Sequence, residues 1–262
     1  MITRRKFISY SGGVIGGVAI NPNTTFATIS ESEQGNCISQ YEKLGLSLMT
    51  PEDDLEFGSL IRGTEEGGKA VGTGSSNHSD VATAFRILFN RDLLERADKE
   101  GHIGVARYLE NITLKNKQGN LFNAEWGTGS GMANPLIVCL FGLTNTAPSD
   151  GDQTSWCSAF VNFCLYAAGQ PGTFSALSGS FRNYGKDYAK EPKVGDIVVF
   201  QNQGESGNKG SGHVGFFVDE EKDNITVLGG NQGKEGKGTI STKTIPKVSK
   251  SMFLHSIRRR DS

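Results

Sequence analysis

The sequence predicts an α+β protein in which one short cysteine-bearing helix in the C-terminal half packs on an antiparallel sheet, preceded by a small helical region. Three observations carry this. The polar run Ala147-Pro148-Ser149-Asp150-Gly151-Asp152-Gln153 cannot continue a helix, and beyond it apolar residues recur at Phe160, Val161, Phe163, Cys164, Leu165 and Ala167. Four or five short β-forming runs then follow in direct succession, an order that argues for antiparallel pairing. Between Val81 and Leu109, apolar residues fall repeatedly at helical spacing.

The cysteine helix is expected to start just before Cys157 and to stop at Gly169-Gln170-Pro171-Gly172. A cysteine in a first helical turn lies among unpaired backbone N–H groups at the positive end of the helix dipole, which favours its thiolate. The competing reading is a small buried hydrophobe beside Trp156 and Phe160. The residues downstream decide between them.

The chain begins with an address. Thr3-Arg4-Arg5-Lys6-Phe7-Ile8 is a twin-arginine pattern, followed by a glycine-diluted apolar run from Val14 to Ile20 and a small residue, Ala27. The run is too short to span a bilayer as a mature helix, so residues 1–27 read as an export signal that engages the twin-arginine translocase. Cleavage there removes three basic residues and shifts the formal net charge from −1 to about −4. Residues 28–133 form the next unit, a linker and small helical region without an assigned role. A polar tether precedes a short helix from Tyr41 to Leu48 and a Gly/Ser/Thr-rich loop from Gly63 to Ser79. Asp80 reads as the N-cap of an amphipathic helix. The helical spacing resumes through Leu93, Leu94 and Ala97, and again from Ile103 to Leu109.

Residues 134–262 form the third unit. Asn134-Pro135 opens a helix with proline at its first position. Beyond the cysteine helix, the β-forming runs are Ile197-Val198-Val199-Phe200, His213 to Val218, Ile225 to Leu228, and a last pair at 238–243 and 252–257. Glycine-rich and polar turns separate them.

Composition excludes several functions. There is no polybasic patch, so nucleic acid is not an expected partner. Cys37, Cys139, Cys157 and Cys164 show no C-x-x-C spacing, and neither a metal nor another cofactor is expected. Cys157 and Cys164 stand two helical turns apart, too far for a disulfide, so any bridge is expected to join Cys37 to Cys139 or Cys164. His78 and His102 sit in polar surroundings and read as surface histidines. The protein is expected to be a monomer.

Thiol hydrolysis of an amide needs a nucleophilic sulfur, an imidazole to take and return the proton, and a polar group to orient the imidazole. Cys157, His213 and Asn231 supply these in chain order. His213 starts a strand after a glycine-rich loop, and Asn231 closes the next one. Whether they meet depends on the register between those strands.

Thr154-Ser155-Trp156-Cys157-Ser158-Ala159-Phe160-Val161-Asn162, Val194-Gly195-Asp196-Ile197-Val198-Val199-Phe200, Gly212-His213-Val214-Gly215-Phe216-Phe217 and Leu228-Gly229-Gly230-Asn231-Gln232 resemble the successive motifs of the NlpC/P60 and CHAP group of bacterial peptidoglycan hydrolases. The likeness is greatest to the exported branch whose cysteine motif reads T-x-W-C-x-A-F-V-N, and it covers roughly Asn134 to Ile257. It implies a papain-like fold and peptidoglycan as substrate, cut either at the D-γ-glutamyl-to-diamino-acid bond or between muramic acid and L-alanine. Carried over residue by residue, it makes Cys157 the nucleophile, His213 the general base and acid, and Asn231 the orienting residue, with Gln232 as its rival. The Cys157 N–H would hold the oxyanion, and Gln153 is a candidate side-chain donor. Asp152 and Asp196 read as turn caps, and Trp156 either packs under the helix or lines the groove. The alternatives are a non-catalytic wall-binding protein of the same fold and a thiol acyl- or peptidyl-transferase.

Overall fold

A computed structural model of the chain describes residues 78–126, 133–148, 150–204, 211–233 and 237–260. The export signal, the 41–48 helix and the 63–79 loop lie outside the described residues, apart from the end of that loop. Three helices open the structure: α1 (His78–Leu88), α2 (Arg91–Glu100) and α3 (His102–Glu110). Asp80 is not the cap of α1. The helix begins two residues earlier and Asp80 is buried in its first turn. The Asn90 side chain caps α2 by accepting the Asp92 N–H.

Helix α4 (Pro135–Leu140) starts as the Asn-Pro pair predicts. Asn134 does more than cap it: its amide also donates to the carbonyls of Phe122 and Ala124. Helix α5 (Cys157–Ala167) carries the cysteine. Its residues from Cys157 to Tyr166 are all buried, so it runs through the molecule rather than over its surface.

The sheet comprises β1 (Lys186–Asp187), β2 (Ile197–Asn202), β3 (Gly212–Glu221), β4 (Asn224–Gly229), β5 (Ser241–Pro246) and β6 (Met252–Arg259), in the order β1-β6-β2-β3-β4-β5. All the pairings are antiparallel. Alternation sorts each strand onto two faces. Val199, Val214, Phe216 and Leu228 join the helices in the main core. Val198, Phe200, Phe217, Val227 and Ile257 form a second cluster. The result is an α+β architecture compatible with a papain-like arrangement.

The main core contains Leu93, Val105 and Leu109 from the first helices together with Leu136, Phe160 and Val214. The boundary expected at residue 133 therefore does not coincide with a break in packing. Segment 122–126 is also joined to the sheet side: Glu125 N–H donates to Gly238 O at 2.8 Å and Ile240 N–H to Asn123 O at 2.8 Å. Cys139, Cys157 and Cys164 are free thiols. The suggested partner Cys37 lies outside the described residues.

His102 is not a surface histidine. Its Nε2 is 2.6 Å from Gly195 O and its ring leans on Phe216 with centroids 5.0 Å apart, so it joins α3 to the start of β2. Asp196 accepts the Lys193 N–H, as a turn cap does, and also binds Arg259 through two oxygens at 2.5 and 2.6 Å.

Candidate active site

The thiol sits where the sheet opens. Pairing between β3 and β4 runs from Glu221/Asn224 to Phe216/Leu228 and goes no further. Beyond that point β4 stays paired with β5 as far as Gly229/Ser241, and Gly230 lies against Trp156 and Phe160 at the start of α5. The Val214 N–H, freed from the β3–β4 ladder, reaches the Cys157 thiol. Helix α5 has no side-chain N-cap, and the N–H groups of Cys157 and Ser158 also point at the sulfur. Strand β3 therefore touches the thiol through the residue next to His213.

Glycines make this approach possible. A Cβ on Gly230 would lie 2.7 Å from Phe160 Cβ and collide with the Trp156 ring. One on Gly229 would stand 2.9 Å from Gln232 Nε2 and 3.3 Å from His213 Nε2. The paired glycines let the end of β4 lie against the cysteine helix and leave room for two polar side chains to meet.

Those two side chains are His213 and Gln232. Gln232 stands near the imidazole and raises its pKa, while His213 Nε2 and Gln232 Oε1 are both buried without a geometric hydrogen-bond partner. Gln232 is itself fixed: its Nε2 donates to Val227 O at 3.2 Å and Ser241 O at 2.6 Å. With both amide hydrogens engaged, only the oxygen is free to face the ring. Asn231 is turned the other way. Its backbone has φ 58°, which asparagine tolerates well, and its Oδ1 lies against Gly238 and the Glu125 carboxylate. The structure thus places Gln232 at the His213 imidazole and the Val214 N–H at the Cys157 thiol, with Asn231 turned toward Gly238.

Burial dominates the electrostatics. Cys157 is 4% exposed, and burial pushes its thiol above the ordinary range while the three N–H groups pull it partly back. His213 is half-buried with Nε2 sealed off, and burial lowers its pKa to about 4 despite the Gln232 contact. Both directions favour the neutral forms, a thiol at Cys157 and an uncharged imidazole at His213. A thiolate standing ready at the helix terminus, expected from the sequence, is not what this environment favours.

The surrounding residues are mostly structural. Trp156 is fully buried and donates its indole N–H to Glu125 at 2.8 Å, so it packs under the helix. The second Glu125 oxygen accepts the Gly238 N–H at 2.8 Å. Nothing in the sequence marks Glu125, because its partners lie 31 and 113 residues away. Asp152 is buried and accepts the N–H groups of Trp126 and Asn134 at 2.7 and 2.9 Å, a bracing role rather than a substrate contact. Gln153 is exposed and donates to Asp152.

Segment 172–177 is fastened to the cysteine helix. Asn162 Oδ1 accepts the N–H groups of Thr173 and Phe174 at 2.7 and 3.1 Å, and its amide donates to Ser175 O at 3.0 Å. The hydroxyl of Ser158, next to the nucleophile, donates to Ser175 O at 2.6 Å and Leu177 O at 3.3 Å. Phe174 is held at φ 57°. Such strain costs about 1–3 kcal/mol for a bulky residue. Its ring makes an edge contact with Tyr166 at 5.4 Å, worth only about 0.5–1.5 kcal/mol. Among the described residues, no group of three His, Cys, Asp or Glu is placed to hold a metal ion.

Residues 149–231 match the family model described as the CHAP domain. No curated protein and no solved structure matches the chain.

Proposed function

We propose that the chain is an exported thiol hydrolase cutting amide bonds in the peptide stems of the wall; the match of residues 149–231 to the CHAP domain model supports peptidoglycan-hydrolase-type activity in general. The observation that carries this reading is the Val214 N–H on the Cys157 thiol, which ties the base-bearing strand to the nucleophile. Export is supported by the twin-arginine start of the sequence.

In the proposed mechanism, His213 would donate its Nε2–H to Gln232 Oε1, leaving Nδ1 as the base. As the sulfur attacks the scissile carbonyl, Nδ1 takes the thiol proton, so charge separates only in the transition state. The N–H groups around the sulfur stabilise the developing negative charge. The imidazolium then protonates the leaving amine, and water, activated by the same nitrogen, resolves the thioester. In this reading Gln232 rather than Asn231 takes the orienting role, supported by its nearness to the imidazole.

Cys157→Ala is expected to abolish release of muropeptides from purified sacculi. Mass spectrometry of the fragments identifies the bond cut by the unaltered protein. Undiminished release by the variant would refute the mechanism.

A further inference from the structure

Gln232 is held by more bonds than its place just past a strand end requires. Its N–H donates to Thr239 O at 2.9 Å, an ordinary backbone pair. Two side chains then converge on its carbonyl oxygen: the Thr239 hydroxyl donates to it, and the Ser241 hydroxyl donates to it at 3.1 Å. The Ser241 carbonyl in turn accepts the Gln232 Nε2–H at 2.6 Å, so Ser241 grips both the main chain and the side chain of one residue. Strand pairing does not call for these hydroxyls, because Ser241 already faces Gly229 in the β4–β5 ladder, which is built from backbone groups.

The amide held in this way ends beside the imidazole. A Cβ on Gly229 would stand 2.9 Å from Gln232 Nε2 and 3.3 Å from His213 Nε2, so the two side chains flank one point. Gln232 is 4% exposed. With its Nε2 bonded to the carbonyls of Val227 and Ser241, the amide cannot turn over without stranding both of them. The groups left over are its oxygen and His213 Nε2, each buried without a hydrogen-bond partner. An acceptor fixed near a ring nitrogen favours the proton on that nitrogen.

We propose that Thr239 and Ser241 are positioning residues, whose hydroxyls fix Gln232 so that its amide oxygen faces His213 and the imidazole keeps its proton on Nε2 with Nδ1 bare. The use of that bare nitrogen as a base rests on the hydrolase reading. The tautomer itself is a property of the folded chain, and it can be read without substrate.

Ring-nitrogen NMR of the full chain with isotopically labelled histidine reads the tautomer, His213 being assigned by the signals lost in His213→Asn. The Nε2–H form is expected in the unaltered protein, and a mixture of tautomers in Thr239→Val, Ser241→Ala and Gln232→Ala. Thr239→Ser keeps the hydroxyl and should retain the single form. Turnover of sacculi is expected to fall about tenfold in Thr239→Val and to recover in Thr239→Ser. Ser241→Ala removes one oxygen and carries the test if Thr239→Val does not fold. Hydroxyls that only braced the fold would lower the thermal midpoint and leave the tautomer alone. That result, or a mixed tautomer in the unaltered protein, overturns the proposal, and control by one hydroxyl alone overturns the role of the other. Tautomer control by both residues in a protein whose unaltered form releases no muropeptides would remove the hydrolase reading and leave the positioning role. Release that is lost in Cys157→Ala, with a tautomer indifferent to every substitution, would do the reverse.

Discussion

Cys157 and His213 together show how burial sets reactivity. Three N–H groups favour the thiolate, but desolvation outweighs them and the thiol is pushed up, while His213 falls to about 4. Both directions favour the neutral pair, so the thiolate fraction below the thiol's pKa grows tenfold per pH unit. Alkylation of Cys157 by iodoacetamide is therefore expected to accelerate about tenfold per pH unit, roughly a hundredfold from pH 6 to 8. A rate flat across that range would reveal a preformed ion pair instead. The same scale separates the two candidates at the end of β4. Gln232→Ala should lower kcat about 10- to 100-fold through loss of imidazole orientation, by analogy with other outer partners of reactive groups. Asn231→Gly should stay within a few-fold, since glycine adopts φ 58° freely.

At the scale of elements, the site depends on the β3–β4 pairing stopping at Phe216/Leu228 and on the start of α5 lying against Gly230. Glu125 holds that junction by accepting one bond from Trp156 and one from Gly238. Glu125→Ala strands two donors in the interior, which costs about 1–3 kcal/mol for each buried group left unsatisfied. A lowered thermal midpoint accompanied by slower alkylation of Cys157 is expected, because the helix start loses its anchor. Unchanged values for both would show that water or a neighbour takes the place of the carboxylate. The four sequence motifs correspond to these elements for steric reasons. Gly212 and Gly215 would each drive a Cβ into neighbouring strand atoms, as Gly229 and Gly230 would into the site.

The whole molecule has one continuous main core running from α1 to β4. Leu93, Leu109 and Phe122 bury the same interior as Leu136 and Phe160, and Asn134 is bonded back to Phe122 and Ala124. A fragment beginning at Asn134 would expose that face and leave the Glu125 partners unpaired. It is expected to show no cooperative thermal transition, whereas a chain beginning at His78 should melt cooperatively. A stable 134–262 fragment would mean that the earlier helices are dispensable to the fold.

The sequence by itself determined the α+β class, the positions of α4 and α5 and the order of the main strands. Each of these is written in local periodicity, turn chemistry or motif order, which act over a few residues. Tertiary structure alone decided that Gln232 rather than Asn231 faces the imidazole, because the backbone of Asn231 is left-handed and the turn rotates consecutive side chains apart. It also decided that His102 is packed against Phe216, that Glu125 anchors Trp156, and that the thiol rests neutral. Those outcomes depend on burial and on partners far apart in the chain, and neither quantity is carried by any short stretch of residues.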